Sequence, residues 1–192
     1  MKSKEIFSFM MNPFTRIAGW QAFGIGILFV IVTGVIGTFG HVAFDGVIDM
    51  HFTRELTLLN SFAYLAIDLL SVSFIMIITG FIISKSFRII DILGTMTLSR
   101  APLIILAFAG CFTVSPDINE IMKDPYVVFQ SVSFIIFSIL SFPVIIWSII
   151  LMFNALKISC GVKGSKLGGA FIVAILVSEI ISKILILKLI RV

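Results

Sequence analysis

The sequence is short of charge. Only 12% of its 192 residues are Asp, Glu, Lys or Arg, and 59% are hydrophobic. A soluble domain carries about 25% charged residues. A chain this small has too little interior to hide so much apolar surface from water. An ordinary soluble domain is therefore excluded, and lipid is the solvent for much of the surface. Cysteine is scarce too. Cys111 and Cys160 stand far apart with no histidine beside them. That excludes a disulfide framework and a zinc knuckle, and both read as small apolar side chains. The net charge is only +4 and the basic residues are unclustered, so nucleic acid is excluded as a partner. There is no low-complexity linker and no repeat of useful length, and a single domain is expected.

What the chain does have is long apolar runs. A span needs about 20 such residues, and five runs qualify, at about 17–40, 56–83, 101–115, 126–156 and 167–187. The fourth is interrupted by Pro143. The third is short for a ~30 Å hydrocarbon core. Ser99 can cap it, and Pro102 falls in its first turn, where a missing N–H costs little. One alternative starts a turn earlier and brings Arg100 to the interface; the other is a re-entrant segment, which leaves four spans. The opening "MKSKEIFSFMMNPF" is basic and then apolar, like a signal sequence. The uncharged run that follows is too long for a signal core and lacks a small-x-small cleavage site, so a retained span is expected.

Loop charges alternate. Lys2, Lys4 and Arg16 precede the first span, Lys85, Arg88 and Arg100 follow the second, and Lys157, Lys163 and Lys166 follow the fourth. The loop after the first span carries Asp45, Asp49 and Glu55, and the loop after the third carries Asp117, Glu120 and Asp124. The positive-inside rule then places the N-terminus in the cytoplasm and favours five spans over four. Lys188 and Arg191 stand against that arrangement. The expected fold is an all-α integral membrane protein, a compact bundle of five transmembrane helices.

Faces follow from an advance of about 100° per residue. Ala18, Ala22, Gly26, Thr33, Gly37 and Gly40 form a stripe of small residues, which lets another helix approach closely. Thr57, Asn60, Tyr64, Asp68 and Ser71 form a polar stripe. An ionised Asp facing lipid at mid-membrane costs about 2.5–3.5 kcal/mol, so this stripe should face the bundle interior. Glu179 and Lys183, four apart with Ser182 beside them, are the expected partners of Asp68. Such a cluster serves either as a polar clamp that fixes helix register or as a transport or proton-relay element.

The stretch "SKSFRIIDILGTMTLSRAP" has Ser84, Arg88, Asp91 and Thr95 on one narrow side and apolar residues elsewhere. It reads as a cytoplasmic amphipathic segment in the headgroups, with Lys85, Arg88 and Arg100 toward anionic lipid. The alternative is an extension of the second span. "SCGVKGSKLGG" has the Gly and Lys of a phosphate cradle without the spacing of a P-loop, and reads as a loop.

"HVAFDGVIDMHFTRE" holds both histidines. On a continuous helix His41, Asp45, Asp49, His51 and Glu55 would share a broad face, but Asp45-Gly46 is a turn signal. The spacing matches no zinc motif and no catalytic triad order. A solvated acidic loop is expected. Metal binding by His41, Asp45, Asp49 and His51 is the lesser alternative.

"MNPF" ahead of the first span, "DILGTMTLSRAPLII" leading into the third, and "WSIILMFNALKISCGVKGSK" running into a basic turn together resemble the Yip1 domain family in a short bacterial-type form. "ILGT" followed by Pro102 partly matches that family's second motif. The resemblance implies a five-span fold in a bacterial inner membrane. The family's Asp-Leu-Tyr-Gly-Pro motif is not found here, and about sixteen residues precede the first span in place of a long cytoplasmic region. GTPase binding therefore does not carry over.

The expected function is non-enzymatic: a scaffold or adaptor with no cofactor, which binds other membrane proteins or itself, or shapes the bilayer. The alternative is a small transporter or channel component using Asp68, Glu179 and Lys183. A membrane metalloprotein built on residues 41–55 is third.

Overall fold

A computed structural model describes residues 3–190, with the side chains of Ser3, Lys4 and Ile118 left aside. Among these residues five helical segments are long and apolar enough to cross a membrane. Helix α1 (Ser3–Met11) leads through a 3-10 turn at Pro13–Thr15 into α2 (Gly19–Phe39). A two-residue hairpin follows, β1 (Val42–Ala43) and β2 (His51–Phe52), then α3 (Leu58–Ile83). Helices α4 (Ile89–Leu98) and α5 (Leu103–Gly110) form one bent span. Helix α6 (Ile118–Lys123) and a 3-10 turn at Pro125–Gln130 precede α7 (Val132–Cys160) and α8 (Ser165–Leu189).

The ends of the helices are set by short-range chemistry. The Thr57 hydroxyl accepts the Asn60 N–H at 3.2 Å and starts α3. Ser131 does the same for Phe134 at the start of α7. Helix α7 continues through Pro143, which lies on its exposed side. Neighbouring helices and local adjustment can accommodate the freed carbonyl in such a span.

The closest interface joins α2 to α4. A Cβ on Gly26 would sit 2.6 Å from the Leu98 backbone nitrogen, so only glycine allows this approach. Gly94 meets Gly19 and Phe23 of α2 in the same way from the other side. Ala22, Gly26, Thr33 and Gly37 of the small-residue stripe are buried there and against the hairpin, while Ala18 is exposed. Gly26→Ala is expected to cost about 1–3 kcal/mol through overpacking, read as a lowered unfolding midpoint in mixed micelles.

Helix α3 packs mainly on α8 and less closely on α2 and α4. Its buried residues include Ser61, Tyr64, Leu65, Asp68 and Val72, an i, i+3, i+4 pattern. Leu70, Phe74, Phe81 and Ile82 of α3, like Ile139 and Phe142 of α7, face outward. Outward apolar faces of this extent suit hydrocarbon rather than water.

The two ends of the bundle are fixed by contacts between connections. At one end Arg54 pairs with Asp117 at 3.2 Å, joining the α2–α3 loop to the segment after α5. At the other end the Ser84 hydroxyl donates to the Cys160 carbonyl at 2.8 Å, joining the α3–α4 link to the end of α7. Acidic loops thus gather at one end and basic links at the other.

Two expectations need correction. The segment at 84–100 is not a surface strip. Only its start is exposed, at Lys85, Ser86, Arg88 and Ile89, whereas residues 94–100 are buried throughout. It forms the first half of the third span, which begins at Ile89 rather than about Ala101. This span is the most buried of the five, and its hydroxyls are satisfied within the helix. Thr95 donates to the Asp91 carbonyl at 2.6 Å and Thr97 to the Leu93 carbonyl at 2.7 Å. Helix α1 exposes the apolar side chains of Ile6, Phe7 and Met10. Lys2 and Arg191, part of the charge count, lie outside the described residues.

Candidate functional site

Asp68 is the eleventh residue of α3, about 15 Å along it and near mid-span. It is fully buried, and its partner is Arg100 at 3.4 Å, itself 3% exposed. Arg100 occupies the bend between α4 and α5. Ser182 of α8 completes the contact by donating to the other Asp68 oxygen. Three spans meet at this point.

The expected partners of Asp68 do something else. Lys183 donates to Asp45 at 3.0 Å and to Asp49 at 2.7 Å, both in the hairpin loop. Glu179 accepts the backbone N–H of Ile48 at 2.9 Å. Arg100 donates to the backbone carbonyl of Val47. The loop from Phe44 to Met50 is thus only in part the expected solvated acidic loop: Asp49 is exposed, as are the flanking His41 and His51, but the centre is not. It turns inward, and Phe44, Gly46 and Val47 are buried. Non-helical backbone at such depth is tolerated only where protein or water satisfies its polar groups. Here Glu179 and Arg100 supply that satisfaction.

The local sequence explains the turn inward. His41 adopts a left-handed backbone with φ of 54°, a region where His is enriched among non-glycine residues. Its carbonyl accepts from Thr53 N–H at 2.9 Å, next to the Val42–Phe52 and Ala43–His51 pairs. Gly46 then passes directly under the Glu179 carboxylate, and a Cβ there would also fall 2.9 Å from that of Asp49. No larger residue fits without displacing the loop.

His51 Nδ1 lies 3.0 Å from Asp45 Oδ1, so Asp45 sits between His51 and Lys183. Burial pushes the Asp45 carboxyl up, but hydrogen bonds and charge from His51 and Lys183 outweigh it and hold the group below its ordinary value. The unfolded chain therefore takes up this proton first, near about pH 3.9. The stabilisation from Asp45 is complete above that value and is lost as pH falls through the lower folded value. The expected result is loosening of the loop below about pH 4, with Asp45→Asn flattening the profile below that value. Thermal unfolding across that range checks it.

Among the described residues no group of three His, Cys, Asp or Glu side chains is arranged to hold a metal ion. Asp45 and Asp49 converge on the Lys183 ammonium, which stands where a cation would sit. His41 acts through its backbone. Tyr64 packs with Ala43, Leu56 and Ile186, and Asn60 lies half-buried at the start of α3.

A void of about 10 Å³ remains between the loop and α7, lined by Val47, Ile48, Leu103 and Ser148 among others. That admits about one water. A larger cavity of about 370 Å³ lies beside His51 and Phe52, facing Phe134, Phe137 and Ser138. Asp68, Arg100, Glu179 and Lys183 line neither. Two cations therefore face four carboxylates in one connected set, most of it spent on binding the loop to α4–α5 and α8.

No family model, curated protein or solved structure matches the chain.

Arg100 is expected from the sequence in the cytoplasmic link, or at the interface if the third span starts a turn earlier, whereas it lies in the interior. The available signal was the length of "IIDILGTMTLSRAPLIILAFAG", which has only Asp91 and Arg100 as charges. Two charges in an otherwise apolar run call for interior partners, and Asp68 was available.

Proposed function

We propose that the chain is a non-enzymatic polytopic membrane protein of Yip1-like type, a scaffold or adaptor acting through its outer faces. The observation that carries this reading is the use of the interior charges. Asp68, Arg100, Glu179 and Lys183 bond to one another's helices and to one loop, in the manner of a clamp. A transport pathway needs such groups to face a cavity that opens to water. Helix α1, with exposed Ile6, Phe7 and Met10, and the outward apolar faces of α3 and α7 are then left for bilayer and partners. In this reading the basic end, with Lys85, Arg88, Lys157, Lys163 and Lys166, is cytoplasmic, and the membrane is a bacterial inner membrane.

Reconstitution tests it. Vesicles carrying the protein under proton and potassium gradients are expected to leak no faster than empty vesicles. A flux that Asp68→Asn abolishes in folded protein overturns the scaffold reading in favour of transport. On the positive side, cross-linking in native membranes is expected to join the chain to a second membrane protein or to a copy of itself. Arg88→Glu, which reverses charge on the basic end, is expected to weaken that product.

A further inference from the structure

Two adjoining cavities lie beneath the elbow between α1 and α2. The first is an apolar groove of about 340 Å³, walled by Pro13, Ile17, Ile25, Phe29, Leu98 and Trp147 among others. This volume falls in the range of about 300–1,000 Å³ typical of small-molecule sites. Ile25 and Phe29 are six and ten residues into α2, so the groove runs about 9–15 Å down from the helix start. It is long, apolar and directed along the span. The second cavity, about 230 Å³, is polar and lined by Glu5, Ser8, Asn12, Thr15 and Arg16. Phe9 borders both cavities, and the Arg16 guanidinium lies 5.9 Å from its ring centre.

The elbow is held in place by α7. Trp147 Nε1 donates to the Met10 carbonyl at 3.1 Å, and Asn154 Nδ2 donates to the Met11 carbonyl at 2.8 Å. These bonds satisfy carbonyls at the end of α1 and fix the roof of the groove.

We propose that this elbow seats one phospholipid with a phosphoethanolamine headgroup, an acyl chain filling the groove and the headgroup filling the polar cavity. The charge pattern selects the headgroup. Arg16 suits the phosphate, and a guanidinium can bind it with two parallel N–H bonds. Glu5 suits a cation that can donate N–H bonds to its carboxylate. A primary ammonium supplies both charge and donors. A quaternary ammonium has no N–H to give Glu5, and a glycerol headgroup has no positive charge for it.

The test uses the full chain taken from vesicles of equal phosphatidylethanolamine and phosphatidylglycerol, with native mass spectrometry reading the retained lipid. The wild type is expected to keep one phosphatidylethanolamine in preference to phosphatidylglycerol. Losing the charged contact in Arg16→Gln is expected to lower retention about tenfold. Glu5→Gln is expected to remove the preference between the two lipids. Ile105→Trp, at a half-exposed groove position, is expected to lower retention of both without altering helicity. Arg16 lies on the exposed rim, so its variant remains informative if Ile105→Trp fails to fold. Equal retention in wild type and Arg16→Gln overturns the proposal, as does retention of phosphatidylglycerol over phosphatidylethanolamine.

Discussion

Arg100→Leu alone is expected to destabilise the protein by about 3–5 kcal/mol, because it leaves the Asp68 carboxylate buried without its cation. The Val47 carbonyl loses its donor in the same change. The double variant Asp68→Leu/Arg100→Leu is expected to recover most of that loss. Replacing a buried ion pair with apolar residues of similar volume is often neutral or stabilising. Ser182, released from Asp68, can turn to a carbonyl one turn back in α8, as Ser178 does toward Ala174 at 2.7 Å. Unfolding in mixed micelles gives both numbers. Equal losses in the single and double variants would mean that the pair is not what holds α3 to the α4–α5 bend.

Glu179 separates a structural role from a protonation role. Its carboxylate accepts the Ile48 N–H, and a neutral carbonyl can accept as well. Glu179→Gln is therefore expected to stay within about 1 kcal/mol of wild type, whereas Glu179→Leu strands the amide and costs about 1–3 kcal/mol. The measured quantity is again the unfolding free energy. A large loss in Glu179→Gln would show that the negative charge itself is required, which a clamp on an amide does not need.

Much of the architecture was legible from composition alone. Five long apolar runs amid sparse charge leave few alternatives to a helical membrane bundle, and the small-residue stripe on α2 marked a close helix contact. The boundary of the third span was legible only in the length of its run, for a physical reason. Thr95, Thr97 and Ser99 make the segment look polar, yet each hydroxyl is spent on a carbonyl of its own helix. Such a helix can be buried at little cost, and hydropathy does not see that internal bonding.

The candidate site was half legible. Asp68, Glu179 and Lys183 stood out because charges in apolar runs are costly, but their partners did not. Glu179 and Lys183 face the 44–50 loop because that loop re-enters the bundle. Its re-entry depends on a left-handed His41, two pairs of strand residues and a glycine under a carboxylate. None of these leaves a periodic pattern. The same short range hid the role of α1, whose nine residues read as the approach to a span rather than as a helix of its own.

The central claim is that interior charges hold the re-entrant loop in place, and solvent access to Val47 tests it most directly. Val47→Cys in a Cys111→Ser/Cys160→Ser background places one thiol at the buried tip of the loop. A membrane-impermeant maleimide is expected to label it slowly in otherwise unchanged protein. Adding Lys183→Met or Glu179→Leu is expected to speed labelling about fivefold or more, since each removes about 1–3 kcal/mol of bonding to the loop. Rapid labelling of Val47→Cys with all four charges intact, or equal slow labelling after either change, would contradict it.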